Sequence, residues 1–182
     1  MGMFNIPKNF LNVYTTGSQA IQINKIILFY SHKNSIITDA TAGIGGNSYY
    51  FCKQFKYVNS VENNFNIIST LTRNIEKFKN KTIYNSTYIT MIPIIKQDIV
   101  FLDPPWGGDE YKKINNLDLY IDNINVMNII NSLYNYTNLV ALKVPKNYNT
   151  TTLNYNFWKN KIYNIRHNDK ILYNLIIFYK RT

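Results

Sequence analysis

Ser35-Ile-Ile-Thr-Asp39-Ala-Thr-Ala-Gly43-Ile-Gly45-Gly46-Asn47 reads as a buried strand that runs straight into a glycine-rich turn. β-Branched apolar residues suit the strand, and the glycines let backbone approach a ligand that any side chain would block. A helix over about residues 47–55 follows, then a strand, Tyr57-Val-Asn-Ser-Val61, that ends in Glu62. Glu62 stands 19 residues beyond Gly43, near the spacing at which a strand-end acid of a βαβ unit reaches ribose hydroxyls. Those hydroxyls donate, and a carboxylate accepts. The phosphate loop of nucleotide triphosphatases, G-x-x-x-x-G-K-[ST], does not occur in the sequence. Asp39, just before the turn, is an acceptor suited to the ammonium of a methionine moiety. S-adenosylmethionine therefore fits this turn, with Ala40, Gly43 and Gly45 against it, better than a dinucleotide with its pyrophosphate. Helix N-terminal capping is the competing role for Asp39 and Glu62.

A second stretch carries the chemistry. Asp98-Ile-Val-Phe-Leu102 is another buried-strand run, and Asp103-Pro104-Pro105-Trp106-Gly107-Gly108 begins where it ends. Open α/β sheets bind their ligands at such strand ends. Two consecutive prolines cannot continue a helix and supply no amide donors, so they stiffen a turn whose carbonyls can face a substrate.

The rest of the chain alternates in the same way. After an irregular leader over residues 1–17, Ser18 is an N-cap candidate for a helix to about Tyr30 with a stripe of Ile23, Ile26, Ile27 and Tyr30. Asn64 opens a helix with Phe65, Ile68, Leu71, Ile75 and Phe78 on one face. Thr82-Ile-Tyr84 is a short strand followed by Asn85-Ser86, and from there to Gln97 the pattern suits a short helix or a loop. A helix is expected from about Asp122 to Tyr136, with Ile124, Met127, Ile130 and Leu133 or Tyr134 as its stripe. Leu139-Val-Ala-Leu-Lys-Val144 is a strand stopped by Pro145. Lys161–Arg166 and Ile171–Tyr179, parted by His167-Asn-Asp-Lys170, form a hairpin signal. The pattern predicts one α/β domain over residues 1–182, a layered sandwich on a mostly parallel sheet with one antiparallel strand. Residues 1–33 would be a leader and helix that cap the site.

Composition narrows the partner. A length of 182 residues with 46% apolar and 15% aromatic residues suits one packed domain. No stretch approaches the apolar length of a membrane span, and Met1–Lys8 lacks the basic-then-apolar order of a secretory signal. A soluble protein of the cytoplasm or nucleus is expected. Cys52 is the only cysteine, which rules out an intrachain disulfide and a thiolate zinc cluster. His32 and His167 are too few and too far apart to suggest a metal. The formal net charge of +10 and pI near 9.5 point to a polyanion, with nucleic acid favoured. The abundance of Asn, Ile, Tyr and Lys also marks an A/T-rich genome of the kind found in viruses, parasites and plasmids. Charge therefore counts only where lysines cluster beside a chemical site.

Asp39-Ala-Thr-Ala-Gly-Ile-Gly-Gly-Asn47 and Val100-Phe-Leu-Asp-Pro-Pro-Trp-Gly-Gly108, in that order and with that interval, resemble the trimethylguanosine synthases, the RNA cap guanine-N2 methyltransferases. The resemblance extends from about Tyr14 to the C-terminus. It implies a class I methyltransferase fold, a Rossmann-like three-layer sandwich with a seven-stranded sheet whose antiparallel strand lies in a C-terminal hairpin. It implies methyl transfer from S-adenosylmethionine, without a metal, to the N2 amine of a 7-methylguanosine RNA cap, giving a 2,7-dimethyl or 2,2,7-trimethyl cap.

By the same resemblance, Trp106 stacks on the methylated guanine. Physics supports that role, because N7-methylation leaves the base cationic and an indole face attracts a cation by about 1–2 kcal/mol when desolvated. Asp103 and the Pro104 carbonyl would accept hydrogen bonds from the amine and aim its lone pair at the methyl group. Glu62, Asn63, Asn85, Ser86 and Asp103 would line the cofactor. Lys146 matches a basic position that contacts the cap phosphates, with Asn147 beside it. Thr16 aligns with a threonine in a segment that folds over cofactor and cap, and Tyr14 lies on the substrate side of that segment. Two departures stand out: Gly17-Ser18 replaces the usual Pro-Glu of that segment, and Asn85-Ser86 stands where an acid is usual.

Because the Asp-Pro-Pro-aromatic core also serves other amines, a methyltransferase for guanine N2, adenine N6 or cytosine N4 in structural RNA or DNA is the alternative. A cap- or RNA-binding subunit without turnover is the alternative from another class. A monomer is assumed.

Overall fold

Seven strands make one sheet in the computed structural model, which describes residues 4–10, 14–153 and 157–180. In chain order the sheet strands are β1 (Ile36–Asp39), β2 (Tyr57–Glu62), β3 (Lys81–Asn85), β4 (Ile99–Leu102), β7 (Leu139–Val144), β8 (Trp158–His167) and β9 (Lys170–Lys180). Their spatial order is β3-β2-β1-β4-β7-β9-β8. β9 is antiparallel to both neighbours, β7 and β8, and the other pairings are parallel. The short hairpin β5 (Tyr120–Ile121) and β6 (Ile124–Asn125) stands apart from the sheet.

Apolar side chains on both faces put β4 and β7 in the middle, where a parallel strand is covered on each side. Every residue of both strands is buried. With the two-residue period, Val100, Leu102, Val140 and Leu142 pack on one side against α4 (Tyr88–Met91) and α5 (Val126–Ser132). Ile99, Phe101, Leu139 and Ala141 face the other way, onto Ile23 and Ile27 of α1 (Gly17–Phe29) and Phe51 of α2 (Gly46–Cys52). A fifth helix, α3 (Phe65–Ile75), buries Leu71 and Ile75. Chain order reverses between β1 and β4, which opens the crevice at their carboxyl ends where doubly wound sheets take ligands. Among the described residues no helix is long and apolar enough to cross a membrane.

Three local expectations need correction. α1 is capped by Thr16 rather than Ser18, because Gln19 reaches back to accept from the Thr16 amide at 3.2 Å. Phe65 is 78% exposed, since it occupies the first turn of α3 beyond the reach of the sheet, and only the later part of that stripe is covered. By contrast, the segment before Gln97, expected as a short helix or a loop, does hold a helix, α4, capped by Thr87. The helix expected from Asp122 starts at Val126, because Asp122 and Asn123 adopt φ of 50° and 63° and turn the chain between β5 and β6. Short polar side chains tolerate that left-handed turn, and the Asn125 side chain then caps α5 by accepting from the Met127 amide at 2.9 Å. The C-terminal hairpin is longer than its two apolar runs. Of the leader, residues 1–3 and 11–13 lie outside the described residues, while Lys8–Phe10 forms one 3-10 turn.

Candidate active site

The glycine turn divides its work. Gly45 has φ of 90°, and a Cβ there would stand 2.8 Å from Leu71 Cδ1; a Cβ on Gly46 would stand 3.0 Å from the Thr15 carbonyl oxygen. Both positions serve close packing. Gly43, with φ of 54°, has open space where a Cβ would be, and its amide donates to Glu62 Oε2 at 2.8 Å. Glu62 Oε1 accepts from the Asn64 amide at 2.7 Å. The acid thus braces the turn, and each oxygen keeps a lone pair for a further donor. Around it, Asn85 Nδ2 donates to the Glu62 carbonyl at 3.0 Å and the Ser86 amide donates to the same oxygen at 3.2 Å. Asn63 is exposed beside them, its amide 3.4 Å from Asp122 Oδ1.

Asp39 is buried at the end of β1, next to Ala40, whose amide donates to the Phe101 carbonyl across to β4 at 2.9 Å. Asp39 Oδ2 accepts from Ser48 Oγ at 2.6 Å, and Oδ1 is buried with no hydrogen-bond partner among the described residues. Burial pushes its carboxyl up to about 7, with the Ser48 hydroxyl and the nearby Thr41 amide opposing and the charges of Asp103 and Glu62 adding. Three carboxyls thus surround one crevice, and an orphaned acceptor among them fits a cationic ligand such as a sulfonium amino acid.

This raised value has a stability consequence. A carboxyl whose folded value exceeds its unfolded one contributes stability that is complete below the unfolded value of 3.8 and lost as pH rises through about 7. Asp39→Asn should therefore gain on wild type by roughly 3–5 kcal/mol between about pH 4 and 8. Thermal unfolding at both ends of that range checks it. A stability difference that does not change with pH would show that Asp39 does not titrate this way.

The second loop is tied to the first, since Thr41 Oγ1 accepts from the Asp103 amide at 2.9 Å. Asp103 Oδ2 accepts from Lys143 Nζ at 2.7 Å, and among the described residues no hydrogen bond reaches Oδ1. Burial raises the Asp103 carboxyl and Lys143 opposes the rise. Pro104 is buried and Pro105 exposed. Trp106 meets Tyr111 and Tyr173 edge-on, with ring centroids 5.3 Å and 6.0 Å away, and walls a cleft of about 310 Å³. Glu110 and Asp118 rim that cleft. Gly107 and Gly108, with φ of 93° and 66°, turn the chain out of the loop as a side chain there would resist.

Of the other residues singled out from sequence, Asn147 shapes the cleft wall. Its Nδ2 donates to the Tyr111 and Ile114 carbonyls, both at 2.7 Å. Lys146 is exposed on the loop after β7, and among the described residues no hydrogen bond or ion pair joins it to Asp103. Thr16 caps α1, and Tyr14 is half-buried with its amide on the Phe10 carbonyl at 3.0 Å. Sequence reading passed over Thr15, Thr41, Lys143 and Tyr173. Lys143 alone carried a signal, as a single cation inside an otherwise apolar central strand.

Residues 34–179 match the model of a family described as RNA cap guanine-N2 methyltransferase. An uncharacterised protein of Acanthamoeba polyphaga mimivirus is 41% identical over 123 residues, 64% of this chain and 48% of that protein. Trimethylguanosine synthase of Saccharomyces cerevisiae is 26% identical over 121 residues, 61% of this chain and 38% of the yeast protein. The chain thus matches about half or less of the length of these relatives. A Streptococcus mutans protein assigned to the methyltransferases and solved in complex with SAH shares the fold, with a TM-score of 0.61 at 15% identity over 89% of this chain and 98% of that one. The fold is that of S-adenosylmethionine-dependent methyltransferases. With four-fifths of its length inside the family match, the chain belongs to the RNA cap guanine-N2 methyltransferase family.

Proposed function

We propose that the protein methylates the N2 amine of a 7-methylguanosine RNA cap. One observation carries the reading: Asp103, whose Oδ1 takes no hydrogen bond among the described residues, follows β4, and Trp106, three residues on, walls a cleft rimmed by Asp118 and by Glu110, the latter paired with Lys113 at 2.9 Å. An acid-rimmed aromatic wall favours a cationic base over a neutral one. Asp103 and the Pro104 carbonyl accept from the amine and fix the direction of its lone pair. Asp39, Gly43, Glu62 and Asn85 would hold S-adenosylmethionine, which supplies an electrophilic methyl on sulfur. Trp106, Leu117 and Leu119 give the cleft an apolar wall, and contacts made against it are stronger than in open water.

The test is transfer of labelled methyl to a 7-methylguanosine cap analogue, run beside the same analogue without the N7 methyl. Transfer to the first and not the second is the expected result. Transfer to structured RNA or DNA while both cap analogues stay unmodified overturns the cap reading.

Glu62→Ala should weaken binding of S-adenosylhomocysteine roughly tenfold or more, because a charge-assisted acceptor is lost and the Gly43 amide is released. Isothermal titration measures it. An unaltered dissociation constant would remove Glu62 from the cofactor site.

A further inference from the structure

Lys143 interrupts an otherwise apolar central strand and its side chain is 5% exposed. Burying an ammonium is costly unless every donor is used. Here two of the three donors are used, one toward Asp103 Oδ2 at 2.7 Å and another toward Thr15 Oγ1 at 3.1 Å, and the cation lies 4.7 Å and 5.5 Å from the ring centroids of Tyr173 and Trp106. The two-residue period explains the convergence. Lys143 follows Leu139 and Ala141, and Asp103 follows Ile99 and Phe101, on the sheet face that packs against α1. Thr15 precedes α1 on that side, buried, and its hydroxyl also accepts from Asn47 Nδ2 at 3.0 Å. One ammonium therefore joins the segment before α1, the loop after β4, the Trp106 ring of the cleft and the buried Tyr173 ring.

We infer that Lys143 is a positioning residue for methyl transfer: it holds Asp103 by Oδ2 so that Oδ1 is presented to the amine, and it pins the segment before α1 across the crevice. Burial raises the Asp103 carboxyl and Lys143 opposes that rise, so the ammonium favours the ionised form, which accepts from the amine. This rests on the reading of Asp103 as the acceptor for that amine. Besides Lys143 from β7, the titratable groups facing Asp103 are Asp39 from β1 and Tyr173 from β9, and neither supplies a positive charge.

The experiment measures kcat and KM of the full chain with the 7-methylguanosine cap analogue over about pH 5 to 9, together with S-adenosylhomocysteine affinity. Wild type, Asp103→Ala, Lys143→Met and Lys143→Arg are compared, with Lys143→Gln standing in if the Met variant does not fold. Lys143→Met should lower kcat roughly tenfold and move the acid limb of the profile to higher pH, while cofactor affinity changes less than about threefold. Lys143→Arg keeps the charge and should restore the limb and most of kcat. A Met variant with wild-type kcat and limb overturns the inference, as does one that loses cofactor affinity as steeply as kcat with no recovery by Arg. If Asp103→Ala is itself silent, the parent reading of Asp103 fails; if it is impaired while Lys143→Met is normal, only the role of Lys143 fails.

Discussion

Asp103→Ala should lower kcat for methyl transfer about 10²–10³-fold, the loss seen when a preorganised polar partner of a transition state is deleted. The interaction strengthens as the amine nitrogen gains positive character, so the loss belongs in kcat more than in KM. Cofactor affinity should change little, because Glu62 and the glycine turn hold their own network. Stability should fall as well. Lys143 would be left buried beside an apolar gap, and breaking a buried pair from one side costs about 3–5 kcal/mol. Rates must therefore be read well below the melting temperature of the variant. Unchanged turnover per folded molecule would remove Asp103 from the mechanism.

Trp106→Ala should weaken binding of the 7-methylguanosine cap roughly 10- to 100-fold, with cofactor affinity close to wild type. Stacking of a base on an aromatic ring is worth about 1–3 kcal/mol, and the cationic charge of the methylated base adds to it. Selectivity should fall with affinity, since the charge-sensitive contact is the one deleted. Trp106→Phe keeps a ring and should recover part of the binding but less of the preference for N7-methylated base. Titration of the two cap analogues against each variant gives both numbers. Equal loss of cap and cofactor binding would mean that Trp106 only supports Tyr111, Tyr173 and the core beneath them.

Two features of this site were legible without coordinates for the same physical reason. The glycine turn and the Asp-Pro-Pro-Trp loop each follow an apolar strand, so their chemistry is local to a few consecutive residues. The misplaced boundaries also have local causes: Asp122 and Asn123 sit inside a helical periodicity but accept positive φ, and Phe65 has the spacing of a core residue in a turn that no element covers.

Asp39, Gly43, Glu62, Asp103 and Trp106 announced themselves by type and spacing, and the parallel order of the sheet followed from alternating strand and helix patterns. Their engagement did not. That Glu62 braces Gly43, that Ser48 occupies Asp39, and that Asn147 is spent on the cleft wall all depend on chain segments brought together by packing. Among 20 Lys and Arg residues, the basic loop after β7 drew attention to Lys146, while the cation at Asp103 is Lys143. The choice was made by the pleat of β7 against β4 and by the path of Thr15 over α2, because a contact spanning 40 residues, or 128 to Thr15, leaves no trace in local periodicity.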